Sequence, residues 1–287
     1  MKREILISAT SRETRVAILE DDQLVELLVD RPDVQRLVGD IFLGKVDAVL
    51  PGIQAAFVDI GTEKAAFLHA SDLVYDEDGD DDDDEEMEDD DDEAADDKHA
   101  SRRAKAPAIQ EVLMKGQDII VQVTKEAIST KGPRVTAQVS LAGRFLVYMP
   151  HAARVGVSRK IGERAERVRL RDLVQGFLPD KSGGVIVRTV GEDVTHETFE
   201  RELQGLMAVW KRIKRKTTFV RAPSVVHRET NLTRGIVRDI FSARIENAQV
   251  DSKQVYNEVT EYLKGVAPEL VERVSLYEGE ASLFDKF

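Results

Sequence analysis

Two phenylalanines in strand-like runs have the residue type and spacing to do chemistry. In Ala55-Ala56-Phe57-Val58-Asp59-Ile60, alternation puts Ala56, Val58 and Ile60 on one face and Phe57 on the other, beside Ala55 and Asp59. In Ala66-Phe67-Leu68-His69, Phe67 shares a face with His69, opposite Ala66 and Leu68. Aromatic rings on polar or small-residue faces of adjacent strands make a platform for unpaired bases, each stack contributing about 1–3 kcal/mol by alanine substitution. The same alternation fits a plainer arrangement, in which one ring closes a barrel end or packs on a neighbouring domain, and the pattern leaves both open. The run Arg154-Val-Gly156-Val-Ser158-Arg159-Lys160 reads as a basic turn, so Arg159 and Lys160 suit either a phosphate or plain solvent. Glu229 and Asp239 are two carboxylates that could pair around a metal, but both fall at polar positions of helix-forming sequence, where a structural role is expected.

Periodicity supplies the elements that must position these groups. Residues 4–29 read as a β-meander: Ile5, Ile7 and Ala9 alternate with polar partners, Val16 and Ile18 do likewise, and Asp21-Asp22 marks a turn. A second β-rich block runs from Ile41 to Leu73 and resumes at Ile109, punctuated by Gly44, Pro51-Gly52, Gly61 and Gly116; short strands at this spacing predict a small barrel. Val139–Met149 is strand-like, and Gly183–Gly191 is a strand bracketed by glycines. Phe199, Leu203, Leu206, Trp210 and Ile213 recur at helical steps and lead into Lys211, Arg212, Lys214, Arg215 and Lys216, cations that suit a helix C-terminus. Val255, Val259, Tyr262 and Leu263 predict another helix, with Asp251 and Gln254 at capping-box spacing, and Val274 with Leu276 a final strand.

At 287 residues the chain is long enough for more than one core, and its net charge of -13 would argue against a polyanionic partner. The average misleads. Residues 76–97 hold 18 carboxylates and no base, and taking these from the 54 acids leaves 36 against 41 bases, a balance of +5. Self-repulsion and the lack of apolar side chains predict a disordered loop there, inserted within one β domain and followed by the basic flank Lys98–Lys105. The absence of cysteine excludes disulfides and thiolate metal sites within the chain and fits a reducing compartment. The N-terminus has neither a signal peptide nor an anchor, and no apolar run approaches the ~20 residues that span a bilayer, so a soluble cytoplasmic protein is expected.

Several blocks carry a resemblance in order. They are ILISAT, GKV with AAFVDIG, GQDIIVQVTKEAISTKGP, SLAGRFLVYMP, GVSRK, GVIVRTVG, HRETNLTRGIVRD and LYEGEASLF. Through them the whole chain, except the acidic insertion, resembles the N-terminal part of the bacterial ribonuclease E/G family, single-strand-specific endoribonucleases of rRNA processing and mRNA decay. The resemblance implies an α+β chain with an OB-fold barrel of the kind first described in ribosomal protein S-one. This barrel (38–137) would be inserted in a ribonuclease-H-like domain (1–37 and 233–287), with a 5′-sensor region at 138–232. It implies RNA contacts at Phe57, Phe67 and Lys131, with Ile60 where some members carry a third aromatic. It also implies a 5′-monophosphate sensor at Arg188 and Thr189, with Val147 contacting the terminal base through its backbone. An Arg fork with a hydroxyl can hold a terminal phosphate by charge-assisted hydrogen bonds. Without the surrounding block, Arg188 reads more readily as a strand cap in a surface ion pair, and it is the block that favours the sensor.

The family's two Mg²⁺-binding Asp residues belong to a DNase-I-like domain downstream of LYEGEASLF, and a later cysteine pair binds an inter-subunit Zn²⁺. The sequence ends before both. This chain is therefore expected to hold no catalytic residue or metal and to be inactive alone, while the longer enzyme would be a homo-oligomer that uses Mg²⁺ on single-stranded RNA with a 5′-monophosphate and joins degradosome-type protein partners. Two alternatives stand beside this one: an OB-fold RNA-binding adaptor with no nuclease domain, and a function for the acidic run as a nucleic-acid mimic or a docking tail.

Overall fold

The computed structural model describes residues 2–31, 36–73, 108–192, 194–229, 232–239, 241, 245–279 and 281–286; the acidic run and its basic flank lie outside these. The chain begins with the expected antiparallel meander, β1 (Arg3–Ala9), β2 (Thr14–Glu20) and β3 (Gln23–Asp30). Asp21 and Asp22 have φ values of 48° and 62°, the paired positive angles that a two-residue hairpin loop needs.

A closed barrel follows. It consists of β4 (Ile41–Leu50), β5 (Ala55–Asp59), β6 (Ala66–His69), β7 (Asp118–Lys125) and β8 (Arg134–Thr136), in the order β4-β5-β6-β8-β7 with β7 returning to β4. Only the β6–β8 pair is parallel. Order and closure fit an OB-fold-like domain. The interior is filled by Phe42, Val46, Val58, Leu68, Val121 and Val135, and the short helix α1 (Ile109–Val112) adds Ile109 to the same cluster. Gly44 lets β4 cross close to β5: a Cβ there would lie 2.5 Å from Val58 Cγ1.

The next sheet combines β9 (Leu141–Ala142), β10 (Leu146–Met149), β11 (Val155–Val157) and β12 (Gly184–Val187) in the order β11-β12-β10-β9. Two helices pack on it, α2 (Arg164–Gln175) and α3 (His196–Thr217). The stripe on α3 is as the spacing predicts, with Phe199, Leu203, Trp210 and Ile213 buried. Sequence reasoning missed α2, because only Leu170 and Val174 of its twelve residues are buried and arginines mask the period. The basic run at Arg154–Lys160 is a strand, β11, before it is a turn. After α3, β13 (Ser224–His227) leaves this sheet and pairs antiparallel with β4 of the barrel, and α4 (Leu232–Asp239) follows.

The chain then returns to its first sheet. β14 (Ile245–Val250) joins β1 in parallel, α5 (Lys253–Val266) crosses over, and β15 (Val274–Leu276) lies parallel to β14, giving the order β15-β14-β1-β2-β3. Ile5, Ile7, Val16, Val250, Val259 and Leu263 share its core. The cap of α5 differs from the expected one: Ser252 accepts from the Val255 amide at 3.5 Å, whereas Asp251 accepts from the Ala9 amide at 2.9 Å and ties β1 to the crossover. Among the described residues no helix is long and apolar enough to cross a membrane.

Candidate nucleic-acid interface

Phe57 and Phe67 stand directly opposite each other on β5 and β6. Their ring centroids are 6.2 Å apart at an interplanar angle of 68°, an edge-to-face pair. Both are half-buried, whereas Ala56, Val58 and Leu68 are fully buried, and the barrel's buried cluster includes neither ring. The rings therefore lie on the outer face, as alternation required, and neither closes the barrel.

Register adds cations that the sequence does not reveal. Arg134 on β8 pairs with Phe67 in the parallel ladder, is exposed, and sets Nη2 3.0 Å from Asp72 Oδ2. On the far side, Lys45 of β4 is opposite Asp59, two positions from Phe57. Lys131 is exposed on a turn closed by its own amide donating to the Ile128 carbonyl at 3.0 Å. That turn is pressed against the β5–β6 loop: a Cβ on Gly132 would collide with the Ala65 carbonyl oxygen, and Lys64 Nζ donates to the Ser129 carbonyl at 3.1 Å. Lys131 thus sits at the rim beside the start of β6. The local signal for Arg134 was its place after Pro133 in a short alternating strand; its neighbour was not readable, because β6–β8 pairing is nonlocal.

The second group of residues meets at one end of the β11-β12-β10-β9 sheet. Arg188 directly follows β12, and its amide donates to the Phe145 carbonyl at 2.8 Å. Its guanidinium donates from Nη1 to the Gly143 carbonyl at 2.8 Å and is 2.6 Å from Asp239 Oδ1. Thr189 Oγ1 lies 3.0 Å from Ser158 Oγ at the end of β11, so the exposed Arg159 and Lys160 share this end of the sheet. Val147 pairs with Ile186, two positions along the ladder from Arg188.

Electrostatics tie the group together. Glu229 is 2.7 Å from Arg238, which is 3.0 Å from Asp239, which in turn holds Arg188. Burial raises the Asp239 carboxyl, but hydrogen bonds from Arg238 and Arg188 outweigh it and hold the group below the usual carboxylate range. The carboxylates considered as a metal pair are thus each neutralised by arginine, and Glu229 lies after β13 rather than in a helix. Among the described residues no group of three or more His, Cys, Asp or Glu is placed to hold a metal ion. These residues do not fit the Mg²⁺ or Zn²⁺ that the resemblance implies, and no chemical step follows through either ion here. Behind the ion-pair chain, a cavity of about 500 Å³ between α3 and α5 is lined by Phe145, Leu206, Val209, Tyr262 and Arg238.

Comparison with known proteins identifies the family. Residues 140–287 match the ribonuclease E/G family. Ribonuclease G of Haemophilus influenzae is 37% identical over 284 residues, covering 99% of this chain and 54% of that protein. Ribonuclease G of Escherichia coli K12 is 34% identical over 287 residues, covering 100% and 55%. Ribonuclease E of Haemophilus influenzae is 32% identical over 288 residues, covering 100% and 29%. The chain spans about half the length of the ribonuclease G relatives. With more than half of its residues matched and the likeness running from end to end, the chain belongs to the ribonuclease E/G family.

Proposed function

We propose that this chain is the RNA-binding and 5′-monophosphate-sensing portion of a single-strand-specific endoribonuclease of the E/G type, acting in rRNA processing and mRNA decay. The observation that carries it is the Phe57–Phe67 pair on the outside of a closed barrel, with Arg134 on the adjacent rung. Two π faces beside cations hold bases and phosphates of an unpaired strand without sequence choice. For the sensor, support comes from Arg188, whose guanidinium already grips an anion, the Asp239 carboxylate. A terminal phosphate offers the same fork more oxygens and more charge, with Thr189 as a hydroxyl partner. Arg159 and Lys160 would attract the following phosphates.

The first sheet, an antiparallel meander extended by two parallel strands with a helical crossover, supports the ribonuclease-H-like reading of residues 1–37 with 233–287. This fold would frame the barrel (38–137) and the sensor region (138–232). For the longer protein the same reading includes Mg²⁺-dependent cleavage, an inter-subunit Zn²⁺, homo-oligomerisation, degradosome-type partners and a cytoplasmic location.

Fluorescence anisotropy with single-stranded RNA bearing a 5′-monophosphate, 5′-triphosphate or 5′-hydroxyl tests the proposal. Phe57→Ala is expected to weaken binding about five- to a hundredfold whatever the 5′ group. Arg188→Ala is expected to abolish the preference for the monophosphate. Unchanged discrimination in Arg188→Ala rejects the sensor, and unchanged affinity in Phe57→Ala rejects the platform.

A further inference from the structure

The C-terminal end of α3 carries features that neither the barrel face nor the 5′ sensor uses. Residues 211–221 contain Lys211, Arg212, Lys214, Arg215, Lys216 and Arg221 and no acid. All six cations are exposed, and none makes an ion pair with a described residue. Several exposed arginines elsewhere are paired, among them Arg134 with Asp72 and Arg169 with Glu166. Among these cations stands Phe219, 82% exposed, the most exposed large hydrophobic side chain among the described residues.

The ring is presented by an ordered turn. The Phe219 amide donates to the Lys216 carbonyl at 3.0 Å, and the Val220 amide to the same oxygen at 3.2 Å. Thr217 and Thr218 hydroxyls donate to the Lys214 and Arg215 carbonyls, both at 2.7 Å. Val220 and Ala222 then pack on the core of the four-stranded sheet, so the chain is fixed on both sides of an outward ring. Interaction with the helix dipole accounts for cations in a last turn. It does not account for Lys211, Arg212 or Arg221, nor for a bare phenylalanine between them. Burial pushes the His227 imidazole below its usual range, and Arg212 and Lys216 push the same way against Glu229 and Asp40, so the cationic field reaches β13.

The patch is continuous with the barrel rim. Pro223 approaches Gly61 of the β5–β6 loop to 3.8 Å from its Cβ position, and that same loop carries Lys64 and abuts the Lys131 turn. A protein partner covering this surface would desolvate six charges to bury one ring. A single strand of nucleic acid matches both: phosphates for the cations and a base for the ring. We propose that the α3 end, Lys211–Arg221, is a second single-stranded RNA contact, in which Phe219 stacks on a base and the cations track phosphates, extending a strand from the barrel face past the Gly61 rim. The inference rests on the reading of the barrel face as an RNA platform.

The test compares two single-stranded RNAs by anisotropy on the full chain. One is about 4 nucleotides long, the low end of what a barrel of this kind holds, and the other is about 20. Phe57→Ala is expected to weaken both. Phe219→Ala is expected to weaken only the longer, by about five- to tenfold, with thermal unfolding unchanged. The triple variant K214A/R215A/K216A is expected to lower the salt dependence of long-RNA binding by about 2 in log–log slope. If Phe57→Ala weakens both RNAs and Phe219→Ala neither, the α3 contact is overturned and the platform stands. If Phe219→Ala weakens the longer RNA and Phe57→Ala weakens neither, the platform fails and α3 binds RNA without it. A change in sedimentation in Phe219→Ala, with RNA affinity intact, makes the patch an interface between copies and overturns the proposal.

Discussion

Under the proposed sensor reading, the Arg188–Asp239 ion pair would both assist and oppose function. Asp239 lies 2.6 Å from the guanidinium and holds it in place, and a terminal phosphate would have to compete with its carboxylate for the same fork. Both side chains are about one-third exposed, 28% and 35%, where a pair contributes about 0.2–1 kcal/mol. Asp239→Asn is therefore expected to tighten 5′-monophosphate RNA about two- to fivefold relative to 5′-hydroxyl RNA; weaker binding in the variant would instead make Asp239 a positioning residue for Arg188. The pH dependence follows from the depressed Asp239 carboxyl, where the arginine hydrogen bonds outweigh burial. Such a group stabilises the fold above the unfolded value near 3.9 and loses that contribution as pH falls through the folded value. Thermal unfolding of wild type and Asp239→Asn should differ at neutral pH and converge only in strong acid.

One element, α3, links these residues through Glu202. Its carboxylate accepts from the amides of Arg144, Phe145 and Leu146 at 2.6, 2.9 and 2.8 Å, which pins the β9–β10 turn to the helix. Gly143 in that turn leaves room for the carboxyl group, 2.8 Å from where a Cβ would be, and its carbonyl receives Arg188. Burial pushes the Glu202 carboxyl up, against three backbone donors that pull it down. Glu202→Ala leaves three amides without an acceptor and is expected to cost about 2–4 kcal/mol in urea unfolding. It should also blunt the 5′-monophosphate preference while leaving binding of 5′-hydroxyl RNA intact at temperatures where the variant is folded. The buried stripe of α3 was legible because Phe199, Leu203, Trp210 and Ile213 repeat with the helix. Glu202 was not, since a carboxylate on a helix reads as solvated until a turn is folded against it.

At the scale of the whole molecule, charge is divided. The chain is a basic body at +5 joined to a run of 18 carboxylates between β6 and α1, so both belong to the segment that builds the barrel. Deleting residues 76–97 is expected to tighten RNA binding at low salt, with a gain that fades as ionic strength rises and the carboxylates are screened. Equal affinity across the salt series would show that the run does not compete with RNA. The first sheet draws β1–β3 and β14–β15 from opposite ends of the sequence, so the barrel and the four-stranded sheet are carried between the halves of one core.

The sequence by itself determined whatever repeats within one element. Alternation fixed which side of β5 and β6 carries Phe57 and Phe67, and helical spacing fixed the inner face of α3, because backbone geometry sets both periods. Tertiary structure decided which distant groups meet. Arg134 lies beside Phe67 only because β8 docks in parallel on β6, and Arg188 faces Asp239 only because α4 reaches the end of β12. Helix capping divides along the same line: Ser252 and Asp251 are both competent caps, and the Ala9 amide of a strand far away in sequence takes the aspartate and leaves the helix to the serine. Such choices depend on register and burial between remote segments, which local periodicity does not encode.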